Sequence, residues 1–143
     1  MKKLTIAGAL LGLLLGTAGC VTQTGIHPDT SAKGWRNLLG DGPLEQIADF
    51  KAGTWQRDGK DGITSTVDSA LWFKGQYENF VLDFEYKLDP EANSGVIIYC
   101  SNLDKWIPNS VEVQLLDDFG NKWKNDPPRL KNGGLYGHVG PAK

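Results

Sequence analysis

The clearest pattern in the chain is strict alternation over Phe80–Leu88. There Phe80, Leu82, Phe84, Tyr86 and Leu88 are separated by residues that include Asp83, Glu85 and Lys87. A period of two over nine residues predicts a half-buried strand, because successive side chains of extended backbone point to opposite faces. Asp89-Pro90 stops it, and Asn93-Ser94-Gly95 is read as a turn leading into Val96–Cys100, an apolar β-branched run suited to a central strand. A third strand is predicted over Val111–Leu116, with Val111, Val113 and Leu115 on one face and Glu112, Gln114 and Leu116 on the other. Shorter strands are expected at 54–57, 63–66, 70–73 and 135–139, and a short turn of helix within 38–50. No segment beyond residue 20 sustains a helical period. Many short strands punctuated by Gly, Pro, Asn and Asp predict an all-β sandwich or barrel.

The beginning of the chain follows another logic. Lys2 and Lys3 precede an apolar run from Leu4 to Leu15, and small residues fill 16–19 before Cys20. That layout is a secretory signal, and its apolar run is shorter than the roughly 20 residues a bilayer-spanning helix needs. Thr17-Ala18-Gly19-Cys20 resembles a lipobox, which implies cleavage before Cys20 and acylation of its thiol. Residues 1–19 are therefore expected to stand outside the fold. Residues 20–33, rich in Thr, Ser, Gly, Pro and Asp, are expected to be a lipidated tether, and 34–143 the domain. The expected location is an exported, membrane-anchored lipoprotein, at the outer membrane or facing the periplasm. Val21 after the cysteine, in place of Asp, favours the outer membrane.

Charge narrows the partners. Loss of Lys2 and Lys3 with the leader lowers the basic residues from 15 to 13 against 17 acidic ones, moving the net charge from −2 to −4. With no cluster of Lys and Arg, nucleic acid is not expected as a partner. Cys20 and Cys100 are the chain's two cysteines. With Cys20 acylated, Cys100 is left as a lone thiol, expected to be buried behind Val96-Ile97-Ile98, and no disulfide is expected.

Candidate chemistry gathers on the strand of Glu112. A carboxylate and an amide two residues apart lie about 7 Å from each other along one face, a spacing suited to gripping one sugar ring if that face lines a groove. Plain solvation of both side chains is the alternative. Asn93 is a further amide able to bind hydroxyls, although Asn-Ser-Gly also reads simply as a tight turn. His138, within Tyr136-Gly137-His138, is a candidate general acid or metal ligand, with a structural role as the alternative, whereas His27 falls in the tether. Trp106, Tyr99 and Tyr136 are candidate sugar-contacting aromatics. Asp117 and Asp118 are a possible divalent-cation site by their hard oxygen ligands, and no other cofactor is implied.

The ordered segments resemble the 3-keto-disaccharide hydrolase domain. The likeness rests on Gly34-Trp35-Arg36-Asn37-Leu38-Leu39, Trp55 before Asp58-Gly59, Leu71-Trp72 and Tyr77-Glu78-Asn79-Phe80-Val81-Leu82. It continues through Glu85-Tyr86-Lys87, Asn93-Ser94-Gly95-Val96, Ile107-Pro108-Asn109-Ser110-Val111-Glu112-Val113-Gln114 and Gly134-Leu135-Tyr136-Gly137-His138. The resemblance implies a concanavalin-like, laminarinase-like jelly-roll sandwich and cleavage of glycosides already oxidised at C3. Members often carry an Arg shortly after Asn-Ser-Gly, where this chain has Tyr99-Cys100. The family domain also runs on for several more strands, so the sandwich is expected to be incomplete, with C-terminal strands missing. The implied roles are Glu112 as base at C2, Gln114 and Asn93 as hydroxyl ligands, and His138 assisting the enolate or the leaving group. Two other readings are a conventional glycosidase using Glu85 and Glu112, with carboxylates about 5–5.5 Å or 6.5–9.5 Å apart, and a surface sugar-binding module without turnover.

Overall fold

The computed structural model describes residues 4–13, 31, 33–59, 62–65 and 67–142. Nine strands, one four-residue helix and three short 3-10 turns account for the regular structure there. The fold is all-β and jelly-roll-like, with small antiparallel pairings. Among the described residues no helix is long and apolar enough to cross a membrane. The chain divides into two compact units, one spanning Thr5–Lys87 and the other built on Leu88–Lys143.

In the first unit the strands are β1 (Leu4–Leu13), β2 (Trp35–Asn37), β3 (Ala48–Phe50), β4 (Trp55–Arg57), β5 (Gly62–Ser65), β6 (Leu71–Phe73) and β7 (Phe80–Leu88), with helix α1 at Leu44–Ile47. One sheet has the order β2-β1-β5-β4, with β7 also pairing β1, and β3 pairs separately with β6. The expected short strands at 54–57, 63–66 and 70–73 are present within a residue or two as β4, β5 and β6. The expected helical turn is α1, followed at once by β3.

Leu39, Leu44, Ala48 and Ile63 form the buried centre, with Leu38, Ile47, Phe50, Trp55, Leu71, Phe73 and Phe84 packed around it. Polar anchors fix the periphery. The Trp55 indole N–H donates to the Ser69 carbonyl at 2.9 Å and the Ser65 hydroxyl to the Thr54 carbonyl at 2.7 Å. Tyr86, expected to face inward, is instead partly exposed, its ring 5.9 Å from that of Phe84 at the edge of the apolar face.

In the uncut chain the apolar leader run is paired in a sheet. Leu4–Leu13, the apolar run read as lying outside the fold, is strand β1, with Leu10 opposite Asn37 and Gly12 opposite Trp35. Backbone N–H and C=O groups need partners, and a proline-free run that stays attached obtains them by joining a sheet. Cleavage before Cys20 would take β1 away from its neighbours. Cys20 itself and most of the expected tether lie outside the described residues.

The second unit centres on β8 (Asn93–Ile98) and β9 (Val111–Leu116), paired antiparallel from Asn93 opposite Leu116 to Ile98 opposite Val111. Asn93-Ser94-Gly95 is thus the start of a strand and not a turn. The chain reverses earlier, where the Ala92 N–H closes on the Asp89 carbonyl at 2.9 Å and Glu91 adopts φ +60°. Strand β8 also ends sooner than expected, because Tyr99 takes φ +53°, a conformation that extended pairing cannot continue. Cys100 therefore falls beyond the strand, half-buried, its thiol 3.5 Å from the Asn102 carbonyl. The expected strand at 135–139 is a tight turn, held by isolated bridges of Leu135 to Val113 and to Val139. Gly137, at φ +78°, lets the backbone reverse there.

Candidate functional site

Strand β9 has backbone partners on both sides. On one side β8 places Ile97 opposite Glu112 and Gly95 opposite Gln114. On the other, Gln114 N–H donates to the Gly134 carbonyl at 2.9 Å, Gly133 N–H to the Gln114 carbonyl at 2.8 Å, and Tyr136 N–H to the Glu112 carbonyl at 2.9 Å. Directly opposed residues of an antiparallel pair share a face. Glu112, Gln114 and Leu116 therefore share a face with Ile97, Gly95 and Asn93, as the alternation predicted for β9.

Gln114 is 1 % exposed, which excludes the solvated reading for it. Its Nε2 donates to Asn93 Oδ1 at 3.1 Å, so the two amides anticipated as hydroxyl ligands are in direct contact. Its Oε1 is buried with no hydrogen-bond partner. A buried acceptor left unpaired costs about 1–3 kcal/mol, so this oxygen is held against its own preference by the surrounding fold.

Glu112 is half-buried, and burial raises its carboxyl pKa above the ordinary 4.5, since desolvation disfavours the charged form. The position of its side chain depends on Gly95. A β-carbon on Gly95 would lie 2.6 Å from Glu112 Cγ and 2.7 Å from Cδ, and would meet Oε1 closer still. The carboxylate thus occupies the space above a residue without a side chain. In the sequence Gly95 stands only as part of a turn-like Asn-Ser-Gly. The available signal was a single glycine ahead of Val-Ile-Ile, since glycine inside a strand often marks a close approach by another group.

The other expected site residues fall on several elements. Tyr136 and His138 lie in the tight turn that borders β9, both exposed, with His138 N–H closing on the Leu135 carbonyl at 2.9 Å. Tyr99 is 72 % exposed at the end of β8. Trp106 is half-buried in the loop joining β8 to β9. That loop is braced by Asn102 Oδ1, which accepts from Asp104 N–H at 3.0 Å and Lys105 N–H at 3.1 Å, and by the Ser110 hydroxyl, which donates to the Trp106 carbonyl at 2.8 Å. Glu85 is exposed on β7 in the first unit, whereas Glu112 belongs to the second.

Asp117 and Asp118 are engaged in holding turns. Asp117 Oδ2 accepts from Glu91 N–H at 2.6 Å, and both Asp118 oxygens accept from Asn132 N–H at 3.1 and 3.2 Å. Asn132 Oδ1 in turn accepts from Leu116 N–H at 3.1 Å, tying this brace to the end of β9. Among the described residues no group of three or more His, Cys, Asp or Glu is placed to hold a metal ion.

The arrangement is a desolvated carboxylate beside two linked amides on one face of a braced hairpin. Such a carboxylate can take a proton from carbon acidified by a neighbouring carbonyl, and the amides can bind oxygen atoms of the same molecule. Residues 26–143 match a 3-keto-alpha-glucoside-1,2-lyase-like domain. Among solved structures, a protein of Parabacteroides distasonis ATCC 8503, described as a candidate glycosyl hydrolase and determined at 2.00 Å, aligns with a TM-score of 0.67 and 40% identity. The alignment covers 74% of this chain and 52% of that one, so the chain spans about half the length of this relative. A search of curated proteins finds no match.

Proposed function

The chain belongs to the 3-keto-alpha-glucoside-1,2-lyase-like domain family, and from that premise we propose that it cleaves the glycosidic bond of 3-keto-glucosides with Glu112 as the base. The observation that carries this reading is the Glu112 carboxylate, half-buried with a raised pKa and laid over Gly95, on the sheet face that also bears the linked amides of Gln114 and Asn93. A ketone at C3 acidifies the C2 proton. Glu112 removes that proton, and the C2–H electron pair flows toward the C3 oxygen as an enolate. Return of the pair forms the C1=C2 bond and expels the glycosidic oxygen from C1, which leaves as an alcohol once protonated. Water then adds across C1=C2 to give the free 3-keto sugar. His138, in the turn bordering the Glu112 strand, is the proposed proton source for the leaving oxygen. The raised pKa suits the task, because a stronger base retains more driving force for the C2 proton.

The test is turnover of a 3-keto-disaccharide and of its unoxidised parent, followed by release of the second sugar. We expect release from the keto compound alone, and Glu112→Gln to lower kcat by about 10²–10⁴-fold. Full activity of E112Q would overturn the role of Glu112. Saturable binding of sugar by the wild type with no release would favour a binding module instead.

We further propose export and membrane attachment through an acylated Cys20, on the strength of the lipobox-like Thr17-Ala18-Gly19-Cys20. Acyl chains contribute about 0.8 kcal/mol per buried methylene, so more than one chain gives stable anchoring. Radiolabelled palmitate should enter the wild type but not Cys20→Ala, and equal labelling of both excludes this site.

A further inference from the structure

The two amides of the site have a definite polarity. Each primary amide carries one carbonyl acceptor and one N–H₂ donor. The bond from Gln114 Nε2 to Asn93 Oδ1, 3.1 Å long, engages the donor side of one and the acceptor side of the other. What remains is Gln114 Oε1, buried and without a partner, and Asn93 Nδ2 on a residue exposed at the strand end. One free acceptor and one free donor thus stand on linked side chains, on the face that also bears Glu112.

We propose that Asn93 and Gln114 are a matched donor and acceptor pair for a vicinal hydroxy ketone, Asn93 Nδ2 donating to the ketone oxygen and Gln114 Oε1 accepting from an adjacent hydroxyl. This rests on the 3-keto-glucoside reading and adds how the oxidised ring is told from the unoxidised one. A ketone oxygen only accepts, so it meets Nδ2 with nothing left over. The hydroxyl beside it donates, which meets the buried carbonyl oxygen. A plain diol offers two hydroxyls, and the one at Nδ2 must turn its proton away from the donor that it meets, so a ketone oxygen is the better match there.

The pair also has a catalytic consequence. When Glu112 takes the C2 proton, the C2–H electron pair becomes the C2=C3 bond and the ketone π pair moves onto oxygen. No other reactant is consumed, and return of a solvent proton to C2 restores the ketone. Negative charge therefore develops at the atom facing Asn93 Nδ2, so the contact strengthens toward the transition state. Asn93 is the contacting donor. Gln114 is also a positioning residue, because its Nε2 holds the Asn93 amide with the nitrogen outward.

The test uses methyl 3-keto-α-glucoside in deuterated water, with exchange of the C2 hydrogen followed by NMR and methanol release by chromatography. Asn93→Asp keeps an oxygen to accept from Gln114 Nε2 but puts a second oxygen where the donor stood. We expect this variant to keep the wild-type melting temperature, lose about 10²–10³-fold in both exchange rate and kcat, and raise KM by about tenfold. Exchange by N93D within threefold of the wild type would overturn the inference. A separate arm titrates the E112Q protein with methyl 3-keto-α-glucoside and with methyl α-glucoside. At least a tenfold preference for the ketone, lost on adding N93D, is expected, and equal affinity for the two sugars would overturn the matched pair. If the preference is present but the wild type releases no methanol, the reaction fails and the recognition stands. If methanol is released but N93D behaves as wild type, the reaction stands and the recognition fails.

Discussion

A single methyl group at residue 95 should separate catalysis from folding. In Gly95→Ala the new β-carbon would lie 2.6 Å from Glu112 Cγ and 2.7 Å from Cδ. These fall short by 0.8 and 0.7 Å of the 3.4 Å at which ordinary contact begins. The Glu112 side chain must swing away, and its carboxylate, farther out along the chain, moves by roughly 1 Å or more, a displacement worth about 10²-fold in rate. The effect on stability is far smaller. Alanine is favoured over glycine in a strand by about 0.5–1 kcal/mol, which offsets part of an overpacking cost of about 1–3 kcal/mol. The assay is kcat/KM on a 3-keto-glucoside beside a thermal melt. We expect a loss of about 10²-fold with the cooperative melt retained. In an E112Q background the same methyl should cost almost nothing more, because the side chain it displaces no longer takes the proton. Retention of wild-type kcat/KM by G95A would refute the reasoning, as would a full further loss in the E112Q background.

Three further outcomes follow from the structure. Because burial raises the Glu112 pKa, activity should fall on the acid side through an inflection above 4.5. Its folded-state pKa exceeds the unfolded one, so the folded state binds the proton more tightly, and the stability present at low pH declines as pH rises through the folded pKa. Melts across pH should accordingly find E112Q more stable than wild type at neutral pH and equal to it in acid, and the opposite order would exclude a desolvated carboxylate. Leu39→Ala, at a side chain with 0 % exposure in the core of the first unit, should cost about 2–5 kcal/mol in urea unfolding. A cost below 1 kcal/mol would mean that this cluster does not hold the unit together.

Much of the fold was legible because it rests on period two. The bounds of β7 at Phe80–Leu88 and of β9 at Val111–Leu116 follow from alternation alone. The errors occur where backbone conformation overrides pattern. Asn93-Ser94-Gly95 has turn composition yet begins β8, because the reversal is already made at Glu91. Tyr99 ends β8 by its positive φ, which no apolar run betrays. The segment after Leu135 has strand-like residues but too few before Gly137 reverses the chain. Asp117 and Asp118 read as ligands because hard oxygens are adjacent in sequence, but whether carboxylates are free or bonded to backbone N–H is a matter of folding.

By itself the sequence determined the all-β class, the strand that bears Glu112 and Gln114, their common face, and the family to which the ordered motifs belong. These are properties of local chemistry and periodicity, which a linear pattern records. Tertiary structure decided what those side chains are able to do. Only pairing of β8 with β9 sets Gly95 opposite Gln114 and gives the Glu112 carboxylate its place. Only folding buries Gln114 and desolvates Glu112. Solvent access and hydrogen-bond partnership depend on residues distant in sequence, so acidity and binding polarity emerge once the strands have met.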